Sequence, residues 1–296
     1  MQAPSVMIFQ YVSKSKVILI YSSAHHSNME LPTVSVIIPT KNSSATLERT
    51  LKSIHSQTYP AIEIIVVDNF STDGTHEVAE GYADSVFEVG PERTAQKNFG
   101  AAHAKGKYVY IVDSDFVLGR TVVEEAALLA ERGEFDGVLI HNTSDPTISF
   151  WSKVRKLERD CYRDDPVHVA VRFIRHDFFN HIGGFDETMV AMEDYELHKR
   201  FLEAGGKLGY IGAEEVHIGE PQTLGEVARG FYYYGKTLSH TLKKSGTVRQ
   251  SSPFRGAYIR HWRDFASHPI LTVGFLVYNV VKFFSALAGF VAGKTR

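Results

Sequence analysis

The chain predicts an α/β protein with a mostly parallel, mixed sheet and helices on both faces. Two observations carry that reading. Short apolar runs of strand length alternate with helical segments from residue 34 to about 218, the β-then-α order that parallel sheets require. One of those runs, Tyr108 to Val112, closes on Asp113-Ser114-Asp115. This puts two carboxylates at a strand's C-terminal end, the edge where α/β sheets bind ligands.

Residues 1 to 30 fit this pattern poorly. Their apolar run, Val17 to Tyr21, is too short to span a bilayer, and no charge precedes Lys14, unlike the basic start of a signal peptide. The expectation is a disordered extension, with Met29 as a candidate start. Val34 to Ile38 reads as the first strand of the main fold, and Ala45 to Ser56 as the helix after it. Ile62 to Val67 is a second strand, with a helix after Gly74. Gly106-Lys107 and Gly119 bound the strand at 108–112. Thr121-Val-Val-Glu124 has the spacing of a capping box, and Val138 to Ile140 is a further strand.

Residues 219 to 296 change character. Arg229, Tyr234 and Lys236 belong to an aromatic and basic segment. Ile270 to Val291 follows, long enough to cross a bilayer and carrying one charge, Lys282. Asn279, Lys282 and Ser285 recur every three residues, marking a polar stripe. That pattern predicts an amphipathic helix in the membrane interface, or a span packed against a partner.

With 296 residues, the chain can hold one large domain and an appendage; a formal net charge of −2 gives no global signature for nucleic acid. The single cysteine, Cys161, excludes an intrachain disulfide framework and a multi-cysteine zinc site. It is compatible with a reducing compartment.

Asp113 and Asp115 can both reach one hard cation. Mg²⁺ or Mn²⁺ takes oxygen ligands and keeps positions open for phosphate oxygens. A lone Asp-Ser-Asp is more often a solvated turn. Here other motifs accompany it in order. They are Val34-Ser-Val-Ile-Ile-Pro-Thr-Lys-Asn42, Ile64-Ile-Val-Val-Asp-Asn-Phe-Ser-Thr-Asp-Gly74, Ala95-Gln-Lys-Asn-Phe-Gly100, Gly183-Gly-Phe-Asp-Glu187 and Glu193-Asp194. Together they resemble the family 2 glycosyltransferases, which have the GT-A fold. The resemblance runs from Val34 to about His217.

The resemblance implies roles residue by residue. Pro39, Thr40 and Asn42, at the first turn, would meet the nucleotide. Asp68 would contact its base, a uracil or a guanine edge. Lys97 would lie near the diphosphate; the family often has arginine there, and lysine lacks its planar fork. Arg93 is a second candidate cation. Asp115 would ligate the metal, with Asp113 on ribose or supporting the metal. His217, at a strand end, would complete the metal site or be structural. Gly183 and Gly184 would allow close backbone approach to the sugar, with Phe185 packed beneath. Glu193 would orient donor or acceptor sugar, and Asp194 would be the general base. An acidic helix N-terminus is the plain alternative for that pair.

The implied activity is inverting, metal-dependent transfer of a sugar from a nucleotide-diphosphate sugar. The apolar tail points to a lipid-linked, polyprenyl or dolichyl acceptor and a membrane-associated protein with a cytoplasmic catalytic domain. Arg229, Tyr234 and Lys236 are candidate acceptor contacts. A polyprenyl-phosphate sugar synthase is a close alternative. A nucleotidyltransferase would need a glycine-rich loop that Pro39-Thr-Lys-Asn42 does not provide. A catalytically degenerate sugar- or membrane-binding protein would not need Asp113, Asp115 and Asp194.

Overall fold

The computed structural model describes residues 11–13, 16–18, 31–133, 135–163, 165, 168–245 and 255–294. A small hairpin, β1 (Tyr11–Ser13) and β2 (Lys16–Ile18), precedes the main fold. β2 pairs in parallel with a later strand at Tyr210↔Ile18. These six residues were expected to lie outside the fold; the rest of 1–30, including Met29, lies outside the described residues.

The main fold begins with β3 (Val34–Thr40), α1 (Ser44–His55) and β4 (Ile62–Asp68). All seven residues of β3 are buried because both faces of the sheet are covered. Then come α2 (Thr75–Glu80), β5 (Ser85–Glu88), α3 (Arg93–His103), β6 (Tyr108–Ile111) and β7 (Phe116–Leu118). α4 (Val122–Gly133), β8 (Gly137–Ser144), α5 (Phe150–Asp160), β9 (Phe173–Arg175) and α6 (His176–His181) follow. α7 (Glu193–Glu203) and β10 (Leu208–His217) complete the sheet region.

The strand order is β1-β2-β10-β8-β9-β6-β3-β4-β5, with β7 paired to β10. β3, β4, β5 and β6 run parallel, as do β8 and β10. β9 lies antiparallel between β6 and β8. The sheet is therefore mixed but mostly parallel, as the alternation of elements predicts.

The expected capping box at Thr121 does not form. The Thr121 hydroxyl donates to Glu125 at 2.7 Å, and Glu124 instead accepts from Thr58 at 2.5 Å. The loop after α1 competes successfully for that carboxylate. A reciprocal cap does form at α5, where Ser149 and Ser152 exchange bonds at 3.0 Å each.

The C-terminal segment is α8 (Leu224–Ser245), α9 (Gly256–Arg260), α10 (Trp262–Ser267) and α11 (Pro269–Lys294). It is not detached from the sheet: Ala257 is buried in one apolar cluster with Ile37, Leu139 and Leu197. α11 turns its apolar face outward. Ile270, Val273, Leu276, Val280, Phe284, Leu287 and Val291 are all exposed. The polar side of the helix faces the protein, with Lys282 Nζ 5.1 Å from the centre of the Phe231 ring on α8.

Glycines set the crossing of α8 and α11. A Cβ at Gly235 would lie 2.2 Å from the Ala286 carbonyl oxygen, and one at Gly289 would lie 2.1 Å from that of Tyr232. Such close backbone approach is the packing that small residues permit between helices in membranes. Gly235→Leu should therefore force the helices apart and lower stability by about 1–3 kcal/mol. Urea unfolding of the detergent-solubilised protein checks this; an unchanged midpoint contradicts the close crossing.

Candidate active site

A cleft of about 780 Å³ opens at the C-terminal ends of the parallel strands. Pro39 and Thr40 from β3, Arg93 from α3, Asp113 and Asp115 after β6, and His217 from the end of β10 line it. α8 closes another side with Val227, Phe231 and Tyr234. A smaller recess of about 480 Å³ lies at the opposite strand ends, among Lys107, Asp136, Arg175 and Lys207. Four of its five charges are paired, Lys107 with Glu131 and Arg175 with Asp136, both at 2.6 Å. The C-terminal edge is the ligand edge of such a sheet, so the larger cleft is the candidate site.

The Asp115–His217 contact is the centre of this cleft. Strand register brings it about, since His217 of β10 pairs with Phe116 of β7, the residue after Asp115. His217 Nε2 lies 3.1 Å from Asp115 Oδ2, and its Nδ1 lies 3.1 Å from Glu220 Oε1. Glu220 is itself held by Ser144 at 2.6 Å and by Arg159 Nε at 3.0 Å. Burial opposes charge on His217, but the Asp115 and Glu220 carboxylates beside its two ring nitrogens outweigh it and raise the imidazole's pKa. Burial likewise raises Asp115, and His217 overcomes this and lowers it. Gly219 permits the approach: a Cβ there would sit 2.2 Å from Asp115 Oδ2.

This donor set suits a divalent ion of Mn²⁺ or Mg²⁺ type. A carboxylate and an imidazole converge, and the second imidazole nitrogen faces a carboxylate that orients the ring. Asp113 lines the same cleft. Among the described residues, a three-residue group of side chains able to ligate a metal lies elsewhere, at Asp68, His76 and Glu88. There the closest histidine–carboxylate distances are 3.9 Å and 4.0 Å, and Asp68 already accepts from Ser71 N at 2.8 Å and Ser71 Oγ at 2.5 Å.

Thr40 carries a second mark of a binding surface. Its hydroxyl is buried on the cleft wall and has no hydrogen-bond partner. A buried orphan hydroxyl is costly unless a ligand or water meets it.

Other expected residues are placed differently. Asp68 is fully buried and engaged by Ser71; its neighbour Asn69 reaches the cleft instead. Asn42 locks two loops together, accepting from Thr72 N at 2.9 Å. Lys97 is 1 % exposed and does not line the cleft. Its Nζ lies 2.8 Å from Asp194 Oδ1 and 3.1 Å from Glu193 Oε1, and 4.6 Å from the centre of the Phe185 ring. Two cations do line the cleft, Lys41 and Arg93, and Arg93 Nη2 is 3.7 Å from Glu193 Oε1. Neither Glu193 nor Asp194 is itself on the cleft wall.

Gly183 and Gly184 have φ of +82° and +63°, where a side chain is strained. Asn98 clamps their loop, donating to Phe185 O at 2.9 Å and accepting from Phe185 N at 2.8 Å. Phe185 is buried, with its ring centre 5.8 Å from that of Phe179. Of the three tail candidates, Tyr234 lines the cleft; Arg229 and Lys236 are exposed away from its wall.

Sequence reasoning did not single out Glu220 or Gln96. Gln96 donates to Thr40 O at 2.9 Å and Val67 O at 2.5 Å, tying together the strand ends that carry the cleft. Its place within the Ala95–Gly100 motif was an available signal.

Known proteins resemble this chain in sequence and in fold. The model described as Glycosyl transferase family 2 matches residues 35–179. Glycosyltransferase AglE of Haloferax volcanii is 26% identical over 227 residues, covering 70% of this chain and 73% of that protein. The putative glycosyltransferase EpsH of Bacillus subtilis is 26% identical over 193 residues, covering 62% of this chain but 54% of its own length. Among solved structures, a mannosyltransferase from Pyrobaculum calidifontis, in complex with GDP-Man and Mn²⁺, superposes with a TM-score of 0.54 at 18% identity. The match covers 90% of this chain and 76% of that one.

Two outcomes test the geometry. Lys97→Met leaves two carboxylates facing one another without their buried cation, so it should destabilise the fold by roughly 3–5 kcal/mol. Adding Glu193→Gln should restore part of the loss in a denaturant titration; no loss in the single variant would refute the buried pairing. The second outcome concerns His198 on α7, whose Nδ1 accepts from Val171 N at 3.2 Å. Burial depresses its pKa to about 4. The unfolded chain then binds the proton that the fold refuses. This contribution is therefore present above the unfolded value of 6.5 and lost as pH falls toward 4, by about 3 kcal/mol in all. His198→Gln should flatten the wild-type slope between those pH values, and equal slopes would contradict it.

The fold, the ordered motifs and the family match lead to one identification: residues 35–179 match the family 2 glycosyl transferase domain, and the chain is a glycosyltransferase of the GT-A fold.

Proposed function

We propose that this glycosyltransferase moves a sugar from a nucleotide-diphosphate sugar to a lipid-linked acceptor, with inversion and with a bound Mn²⁺ or Mg²⁺. The observation that carries the proposal is the convergence of Asp115, His217, Asp113, Arg93 and Thr40 on one cleft. The mannosyltransferase of Pyrobaculum calidifontis, bound to GDP-Man and Mn²⁺, supports a nucleotide-sugar donor on this fold.

Asp115 and His217 would hold the ion, with Glu220 orienting His217 and Asp113 supporting the ion or meeting ribose. When bound, the ion stabilises the negative charge that develops on the departing diphosphate. Thr40's unpartnered hydroxyl, with Pro39 and Asn69 beside it on the wall, offers contacts for the nucleoside. Arg93 offers the diphosphate a planar guanidinium that Lys97 lacks. Lys97 takes the positioning role, fixing Asp194 and Glu193 at the start of α7. Asp194 accepts the proton of the acceptor hydroxyl as that oxygen attacks the anomeric carbon. Direct displacement by the acceptor inverts that carbon.

The outward apolar face of α11 supports a lipid acceptor and a membrane-associated protein. α11 packs on α8, which itself walls the cleft, so the apolar surface adjoins the reaction space. Exposed Trp262 and Ile259 extend that surface on the neighbouring short helices.

Nucleotide-sugar hydrolysis and transfer to membrane lipid extracts, with and without Mn²⁺, test the reaction. Asp115→Ala should abolish metal-dependent turnover in folded protein. Asp194→Asn should keep donor binding and slow transfer by ~10²–10⁴-fold. Lost donor affinity with an unchanged chemical rate would instead remove Asp194 from the base role. In flotation with liposomes, Leu276→Glu with Val280→Glu should release the protein; retention would remove the apolar face as the membrane contact.

A further inference from the structure

α11 is about 39 Å long, and among the described residues it is the one helix long and apolar enough to cross a membrane. Its packing fixes how it can meet lipid. Gly274, Tyr278, Lys282, Ala286, Gly289 and Gly293 follow one another every three or four residues and share one face. A Cβ at Gly274 would lie 2.8 Å from Phe150 and Val154 of α5. Tyr278 is buried with Val154 of α5 and Val227 of α8. Lys282 Nζ lies 5.1 Å from the centre of the Phe231 ring of α8. Ala286 and Gly289 meet Gly235 and Tyr232 of α8 backbone to backbone, and a Cβ at Gly293 would lie 2.5 Å from the Lys236 carbonyl oxygen. This face is engaged from one end of the helix to the other. The opposite face is apolar and exposed over the same length, from Ile270 through Leu276 and Phe284 to Val291.

The helices beneath α11 are unsuited to hydrocarbon. α5 carries Lys153, Arg155, Lys156 and Arg159, and the Arg155 guanidinium lies 5.5 Å from the centre of the Tyr278 ring. α8 carries Glu226, Arg229 and Lys236, all exposed. It also walls the active-site cleft through Val227, Gly230 and Phe231, and that cleft must stay open to a water-soluble nucleotide sugar. The contacts of Gly289 with Tyr232 and of Gly293 with Lys236 run in the same order along both helices, so α8 accompanies α11 in parallel. A crossing α11 would draw these charged neighbours in with it. It would also set Lys282, at its midpoint, near the bilayer centre, where a charge is costly.

We propose that α11 lies flat in the interface of a single leaflet and does not cross the bilayer. Only its outward stripe enters the lipid, on the order of 5–10 Å deep, while α5 and α8 stay on the headgroup side. Trp262, 60% exposed on α10 just before α11, suits the headgroup level. Because α8 touches both α11 and the cleft, this placement holds the cleft beside the headgroups. An acceptor can then be met at the leaflet surface. The residues before and after α11 stay on the side of the catalytic domain. This placement rests on the reading of membrane association through α11.

Nitroxide depth measurements test it, with Ile270→Cys, Leu276→Cys, Phe284→Cys and Val291→Cys made singly in the full chain. Each is added to preformed vesicles of phosphatidylcholine and phosphatidylglycerol. The unsubstituted chain, whose one cysteine is buried, gives the background. All four labels should sit at one shallow depth, on the order of 5–10 Å below the headgroups. Ile270 and Val291 lie about 32 Å apart along the axis, so a crossing helix would instead show its greatest depth between Leu276 and Phe284. That graded profile would overturn the proposal and leave membrane association standing. Lys294→Cys adds a second readout: an impermeant maleimide outside intact vesicles should label it as fully as after detergent. Labelling that needs detergent would overturn the proposal. Four labels in water would remove membrane association itself, and this placement with it. Labels shielded from both water and lipid would give the face to a second copy of the chain and overturn the placement.

Discussion

The active-site cleft depends on the register of β10. This strand runs parallel to β8 along most of its length and pairs antiparallel with β7 at its end. The register puts His217 opposite Phe116 and hence against Asp115. A slip of one residue would turn the imidazole to the other face of the strand. Glu220 then passes the constraint onward, since its carboxylate joins the imidazole to Ser144 on β8 and to Arg159 on α5. The floor beneath is equally fixed: buried Glu215 on β10 pairs with Arg172 and accepts from the Tyr110 hydroxyl of β6. Breaking such a buried pair leaves an uncompensated charge, so the strands that carry Asp113 and Asp115 are bound electrostatically to the strand that carries His217.

A second constraint organises the acidic side of the site. Lys97 is almost fully buried, yet it is compensated by both Glu193 and Asp194. Helix α7 thereby gains a fixed start against α3, and its N-terminal acidic residues also suit the helix dipole. The two explanations for Glu193-Asp194, structural and functional, are compatible. The same contact that anchors the helix also fixes the direction of the carboxylate. It leaves Arg93, one turn earlier, as the cation of α3 exposed to the cleft.

The tail reverses the arrangement of a soluble amphipathic helix. α11 keeps its apolar residues outward and its polar stripe toward α8 and α5. Its attachment comes from glycine-mediated backbone contact and from a small cluster of Val154, Val227, Phe275 and Tyr278. That geometry couples a surface suited to lipid with the wall of the cleft, because α8 contributes to both.

The sequence alone determined the alternation of strands and helices, since buried runs and turn residues are local signals. It also located the carboxylates at the end of β6 and the histidine at the end of β10, because strand ends and ordered motifs can be read without coordinates. It identified an apolar C-terminal helix with a polar stripe, but periodicity cannot say which face meets the protein. Only the tertiary structure decided that Lys97 points at an acidic pair and Arg93 at the cleft, although both lie on one helix at suitable spacing. The same holds for Glu220 behind His217 and for Ser71 on Asp68. These are contacts between residues distant in the chain or competing for one partner. Packing and charge compensation decide them, and neither leaves a periodic trace in the sequence.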